Sequence, residues 1–120
     1  MEAVRLILHI DDSADDAALV ELALRSLPVA ADVRLVQGEE ALRSALLERL
    51  PDVVICDYEM PGLSPSRALA IVREHSPAIP FILASHHVGS DPSLRVHGAT
   101  AHVSKGDLAR LVSLVTLALS

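Results

Sequence analysis

Five polar residues stand directly after short apolar runs, and their types suit phosphoryl chemistry. Asp11 and Asp12 follow Leu6-Ile7-Leu8-His9-Ile10. Asp57 follows Val53-Val54-Ile55-Cys56, Ser85 follows Phe81-Ile82-Leu83-Ala84, and Lys105 follows Ala101-His102-Val103-Ser104. If the runs are parallel strands, the side chains share one sheet edge, where open α/β sheets bind their ligands. Crowded carboxylates repel and call for a cation, and hard oxygen ligands with room for water suit Mg²⁺. A metal and a lysine facing one carboxylate form an electrostatic clamp for a transferring phosphoryl group. Asp57 is then the candidate nucleophile, carrying an aspartyl-phosphate, and Ser85 a hydrogen-bond donor to it. Taken singly, each residue also has a structural reading. Asp11 and Asp12 can cap a helix, Asp57 can form an Asx turn, and Ser85 and Lys105 can be strand-end and turn residues. The order of all five on successive strand ends favours the site.

The elements that must position them alternate along the chain. Val20, Ala23, Leu24 and Leu27 recur at helical spacing before Pro28. Asp32–Val36 reads as a strand, and Leu42, Ala45, Leu46 and Leu50 as a second helix stopped by Pro51. Ser64-Pro65 looks like an N-cap with proline at the first helical position, opening a third helix with Ala68, Leu69, Ile71 and Val72 inside. A short fourth helix is expected at Pro92–His97, capped by Asp91 and ended by Gly98. Asp107 caps a last helix whose sheet face is Leu108, Leu111, Val112, Val115 and Leu119. Five strands alternating with five helices predict an α/β domain with a parallel sheet, covered on both faces because the runs are apolar on both sides.

Composition narrows the function classes. The 120 residues fit one domain, spanning 1–120. Aromatics are only 2%, which argues against modules that stack bases on aromatic rings. A net charge of −6 lacks the footprint of a nucleic-acid or anionic-membrane binder. No apolar run is long enough to span a membrane, and Met1–Arg5 lacks a signal-peptide profile, so a cytoplasmic setting is expected. The lone Cys56 excludes an internal disulfide and reads as a small core residue. The six histidines do not converge on one expected strand end.

The strings His9-Ile10-Asp11-Asp12-Ser13, Val54-Ile55-Cys56-Asp57-Tyr58-Glu59-Met60-Pro61-Gly62, Leu83-Ala84-Ser85 and Val103-Ser104-Lys105 resemble those of a response-regulator receiver domain of two-component signalling. The resemblance covers essentially the whole chain. It implies a flavodoxin-like (βα)5 fold with strand order 2-1-3-4-5. It implies Asp57 as phospho-acceptor, Asp12 as a direct Mg²⁺ ligand, Asp11 as a ligand largely through water, and the Glu59 backbone carbonyl as a third protein ligand. It further implies Ser85 as the switch hydroxyl, Lys105 as the phosphate-binding lysine, and His102 at the usual aromatic switch position. The chain departs from the family where Gly106 replaces a common proline, so the family's cis peptide is not expected there. It also departs where His86 replaces a small residue beside Ser85, and that ring is expected over the route to Asp57.

The implied function is a phosphorylation-dependent switch served by a histidine kinase or phosphotransfer protein. The competing reading is a degenerate receiver acting as a constitutive docking or dimerisation module. A phosphohydrolase is a third, but Glu59 stands where such enzymes usually carry a second aspartate. Leu114, Leu117 and Ala118 widen the apolar arc of the last helix, so Leu114 and Leu117 are expected to be exposed and to serve a homodimer or output contact.

Overall fold

The computed structural model describes residues 4–86 and 98–120. Five strands, β1 (Arg5–Ile10), β2 (Ala31–Val36), β3 (Val53–Asp57), β4 (Phe81–Ser85) and β5 (Ala101–Ser104), form one parallel sheet in the order β2-β1-β3-β4-β5. The helices are α1 (Ala14–Leu24), α2 (Glu39–Glu48), α3 (Pro65–His75) and α4 (Leu108–Ala118). This is the expected architecture and strand order. The helix expected at Pro92–His97 lies outside the described residues. Among the described residues, no helix is long and apolar enough to cross a membrane.

Strand alternation divides the core in two. Leu6, Leu8, Ile10, Val54, Cys56, Phe81 and Leu83 face α2 and α3, where Leu42, Leu46, Leu69 and Ile71 meet them. Ile7, Val53, Ile55, Ile82, Ala84 and Val103 face the other way, against Val20 and Leu24 of α1, Leu111 and Val115 of α4, and Leu119 at the end of α4. Burying one such aliphatic side chain is worth roughly 1.5–3 kcal/mol. With almost no aromatics available, the fold is held by many interlocked aliphatic contacts around the single Phe81.

Local chemistry sets the helix ends, with three departures from expectation. Ser13 and Ser64 cap α1 and α3 through hydrogen bonds from the Asp16 and Arg67 N–H groups, and Asp107 caps α4 through Arg110 N–H. First, α1 stops at Leu24, before Pro28; Leu27 lies beyond the helix yet still packs on the core. Second, α2 stops at Glu48 because Pro51 disfavours helical backbone just before it. Arg49 is already extended, and Leu50 is left 49% exposed instead of joining the buried stripe. Third, edge strand β2 is not buried on both faces: Asp32, Arg34 and Leu35 are exposed.

The last helix also needs one correction. Leu111, Val115 and Leu119 are buried as expected, with Leu108 and Val112 partly so. Leu117 is 71% exposed, but Leu114 is only partly exposed and leans on the α1/α4 side of the core. The expected pair of exposed leucines is thus a single one.

Candidate functional site

Register aligns the strand ends. Ile10 is level with Cys56, Asp57 with Ala84, and Ser85 with Ser104. Asp11, Asp57, Ser85 and Lys105 therefore leave neighbouring strands along one edge. Two backbone bonds stitch that edge: Tyr58 N–H donates to the Ala84 carbonyl and Lys105 N–H to the Ser85 carbonyl, both at 2.8 Å. After β3 the chain turns at Pro61-Gly62, where Gly62 takes φ +83°, a backbone region that glycine enters without strain.

Neither Asp11 nor Asp12 caps the first helix, because Ser13 does so. Asp11 Oδ1 instead accepts from Ser13 N–H at 2.9 Å, which fixes the chain as it leaves β1. Asp57 Oδ1 accepts from Glu59 N–H at 3.2 Å, so the Asx-turn reading and the site reading both hold for the same carboxylate. That bond sets the Glu59 backbone beside Asp57. Carboxylate oxygens of Asp11, Asp12 and Asp57 lie within 4.8 Å of one another. Asp11 and Asp57 are buried and Asp12 is exposed, which gives an all-oxygen donor set open on one side. Such a set fits Mg²⁺, which prefers a few carboxylates and retains water.

Lys105 crosses into this cluster. Its side chain is 4% exposed, and its ammonium lies 2.9 Å from Asp11 Oδ2, 2.8 Å from Asp16 Oδ2 and 3.1 Å from Asp57 Oδ1. An ammonium has three N–H donors, so each has a carboxylate partner. Burial opposes the charged form of Lys105, but its hydrogen bonds to Asp16, Asp11 and Asp57 outweigh that, and its pKa rises. Burial likewise works against ionised Asp11. The His9 ring, the Ser13 N–H and Lys105 overcome it and hold Asp11 well below the usual carboxylate range. For Asp57 burial prevails, with the Asp11 charge adding to it, and the pKa is raised despite Lys105 and the Glu59 N–H. Of these two buried carboxylates, Asp57 is the one whose surroundings disfavour its charge. Cys56, buried beside it, has its thiol pushed up to about 12 and stays protonated, as a core residue should.

The raised Asp57 pKa carries a stability consequence. A group whose folded pKa lies above its unfolded value contributes stability below the unfolded value and loses it as pH rises through the folded one. At neutral pH, ionised Asp57 therefore weighs against the metal-free fold. Asp57→Asn is expected to raise stability by on the order of 1 kcal/mol, or about 4 °C in melting temperature. The gain should close as pH falls to about 3, where the wild-type carboxyl is protonated in both states. Thermal unfolding of both proteins at the two pH values checks this, and an unchanged or lowered melting temperature at neutral pH would refute it.

The remaining expected residues fall as follows. Ser85 is buried at the end of β4. His102 is partly exposed on β5, level with Leu83 and on the opposite face from Val103. His86 is exposed, and its Nε2 lies 2.9 Å from Asp16 Oδ2; its ring is drawn toward α1.

Two residues escaped sequence reasoning. Asp16 sits three residues after the Ser13 cap, where an acidic side chain usually reaches back to the cap N–H or meets the helix dipole. That N–H is already taken by Asp11, so the Asp16 carboxylate turns to Lys105 and His86. The Ser13-x-x-Asp16 spacing was visible, but the competition for one N–H was not. His9 looked like one polar residue in an apolar run. It is 1% exposed, with Nε2 in contact with Asp11 Oδ2 at 3.4 Å. Among the described residues, neither ring nitrogen has an aligned hydrogen-bond partner.

A five-stranded parallel sheet with helices on both faces and an acidic cluster with a buried lysine at its carboxyl edge defines a receiver-type α/β domain. A family model for the response regulator receiver domain matches residues 7–116, and the chain belongs to that family. A response regulator from Chloroflexus aurantiacus superposes with a TM-score of 0.83 at 26% identity, covering 98% of both chains. The receiver domain of sensor histidine kinase PA1611 from Pseudomonas aeruginosa, solved with a magnesium ion coordinated in its active-site cleft, shares the fold. Its TM-score is 0.73 at 20% identity, covering 93% of this chain and 97% of that one. Among curated proteins, a protein-glutamate methylesterase/protein-glutamine glutaminase of Cereibacter sphaeroides is 31% identical over 103 residues. That match covers 82% of this chain but 28% of the relative, so most of the relative lies outside it.

Proposed function

We propose that the domain, over residues 1–120, is a cytoplasmic phosphorylation-dependent switch. Asp57 accepts a phosphoryl group from a histidine kinase or phosphotransfer protein. The observation that carries this reading is the buried Asp57 carboxylate, 3.1 Å from the Lys105 ammonium and grouped with Asp11 and Asp12. Asp11, Asp12, Asp57 and the Glu59 carbonyl would hold Mg²⁺, which when bound neutralises charge on the phosphoryl oxygens. A carboxylate oxygen of Asp57 attacks phosphorus, and the bond from phosphorus to the donor breaks. The donor group, a histidine imidazole in a kinase, leaves with the electron pair. Lys105 lies within reach of the developing charge, and its neutralisation by three carboxylates keeps it protonated.

The product is an acyl phosphate on the edge shared with Ser85. In this reading the Ser85 hydroxyl donates to a phosphoryl oxygen, and the resulting strain in the β4–β5 edge reaches His102. The surface that changes then engages an output partner. The magnesium ion in the Pseudomonas receiver supports the metal assignment.

Incubation with a small phosphodonor tests the chemistry. The expected product forms in the presence of Mg²⁺ and is discharged by hydroxylamine, as an acyl phosphate is. A product that survives hydroxylamine, or that forms equally well in chelator, would exclude this chemistry.

A further inference from the structure

Among the described residues, Asp16 lies outside the acidic group that could hold a cation, yet it makes the shortest of the three carboxylate contacts to Lys105. The other two partners of Lys105, Asp11 and Asp57, are both members of that group. Lysine and a bound cation therefore share two carboxylates, and as like charges they repel each other across them. Something must hold the ammonium when those carboxylates turn to the cation. Asp16 is placed to do so, at 2.8 Å and on a different element, α1. Its position is itself fixed from two sides. Ser13 Oγ accepts from its backbone N–H at 3.2 Å, and His86 Nε2 meets the same Oδ2 that Lys105 uses. His86 follows Ser85 directly, so one oxygen of Asp16 ties the first turn of α1 to residues just beyond both β4 and β5.

We propose that Asp16 is a positioning residue of this cleft: it takes over the charge of Lys105 when a divalent cation claims Asp11 and Asp57, so that ammonium and cation occupy the site together. This deepens the phosphoryl-transfer reading and rests on it for its purpose, but not for its test. Without Asp16, Lys105 falls back wholly on Asp11 and Asp57 and competes with the cation for them. The effect of Asp16 on the metal must therefore run through Lys105.

Mg²⁺ alone is the probe, titrated with no phosphodonor and followed by the amide resonances of the strand ends. Asp16→Ala is expected to lower Mg²⁺ affinity about tenfold, as loss of a partner behind a metal ligand typically does. Asp16→Asn keeps an acceptor and should fall between Asp16→Ala and wild type, and Asp16→Glu should recover most of the affinity. In a Lys105→Met background the same Asp16→Ala change should cost no more than about threefold, the bare loss of one nearby charge under solvent screening. Equal losses in both backgrounds, or none in either, would overturn the proposal. Alanine is a good helix former, and the Asn variant provides a second folded protein should the first be unstable. If Asp57 accepts no phosphoryl group while this dependence on Lys105 holds, the functional reading fails and the role of Asp16 stands. The converse pattern separates the two in the other direction.

Discussion

Truncating Lys105 to alanine is expected to cost the metal-free fold about 3 kcal/mol and to slow phosphorylation from a small donor roughly a hundredfold. The stability loss follows from what is left behind. Asp11 and Asp57 are buried, and both now rest against the same ammonium as Asp16. Removing one partner of a buried ion pair leaves uncompensated charge, and here one truncation strips three carboxylates at once. The rate loss follows from the proposed role of Asp57: a lysine 3.1 Å from that carboxylate would stabilise charge on the phosphoryl oxygens. Combining Lys105→Ala with Asp57→Asn should recover part of the stability but none of the phosphorylation. Denaturant unfolding without metal measures the first effect, and a time course with donor and Mg²⁺ the second. A Lys105→Ala protein as stable as wild type would mean that the ammonium does not hold the cluster together.

Magnesium is expected to raise the melting temperature strongly, and Asp12→Asn to abolish most of the rise. At free Mg²⁺ about a hundred times its dissociation constant, the gain is about 2.7 kcal/mol. Asp12 is the exposed member of the acidic group, so its replacement disturbs packing little while removing one ligand. The pH dependence has a definite sign. Because burial raises the Asp57 pKa, protons compete with metal there first, and the magnesium gain should shrink as pH falls into that raised carboxylate range. Asp11, held low, remains available as a ligand to more acidic pH. Thermal unfolding across a magnesium series in wild type and Asp12→Asn decides this. The same rise in both proteins, or in neither, would place the metal elsewhere.

Much of this was legible before any coordinates, because the signals were local. Apolar runs ending at Asp11, Asp57 and Ser85 mark strand ends directly, and strand ends are where parallel sheets gather polar groups. Ser64-Pro65 and Asp107 announced their helices because capping is a matter of adjacent residues. What was not legible depended on competition between groups distant in sequence. Asp16 and Lys105 are 89 residues apart, and their contact exists because Asp11 has already taken the N–H that Asp16 would otherwise bond. His86 was expected over the path to Asp57, but spacing alone could not show that its ring would meet a carboxylate on α1 that Lys105 also contacts. Leu50 and Leu114 fitted helical stripes. A proline just beyond the helix freed the first, and the lean of α4 against the sheet partly covered the second.

The central claim is that Asp57 is the phospho-acceptor, and intact mass spectrometry tests it most directly. Wild type and Asp57→Asn are incubated side by side with a small phosphodonor and Mg²⁺. The account predicts that the wild type gains the mass of one phosphoryl group and that Asp57→Asn, folded and at least as stable, gains none. A wild type that stays unmodified under saturating donor and metal, or an Asp57→Asn protein modified to the same extent, would contradict it.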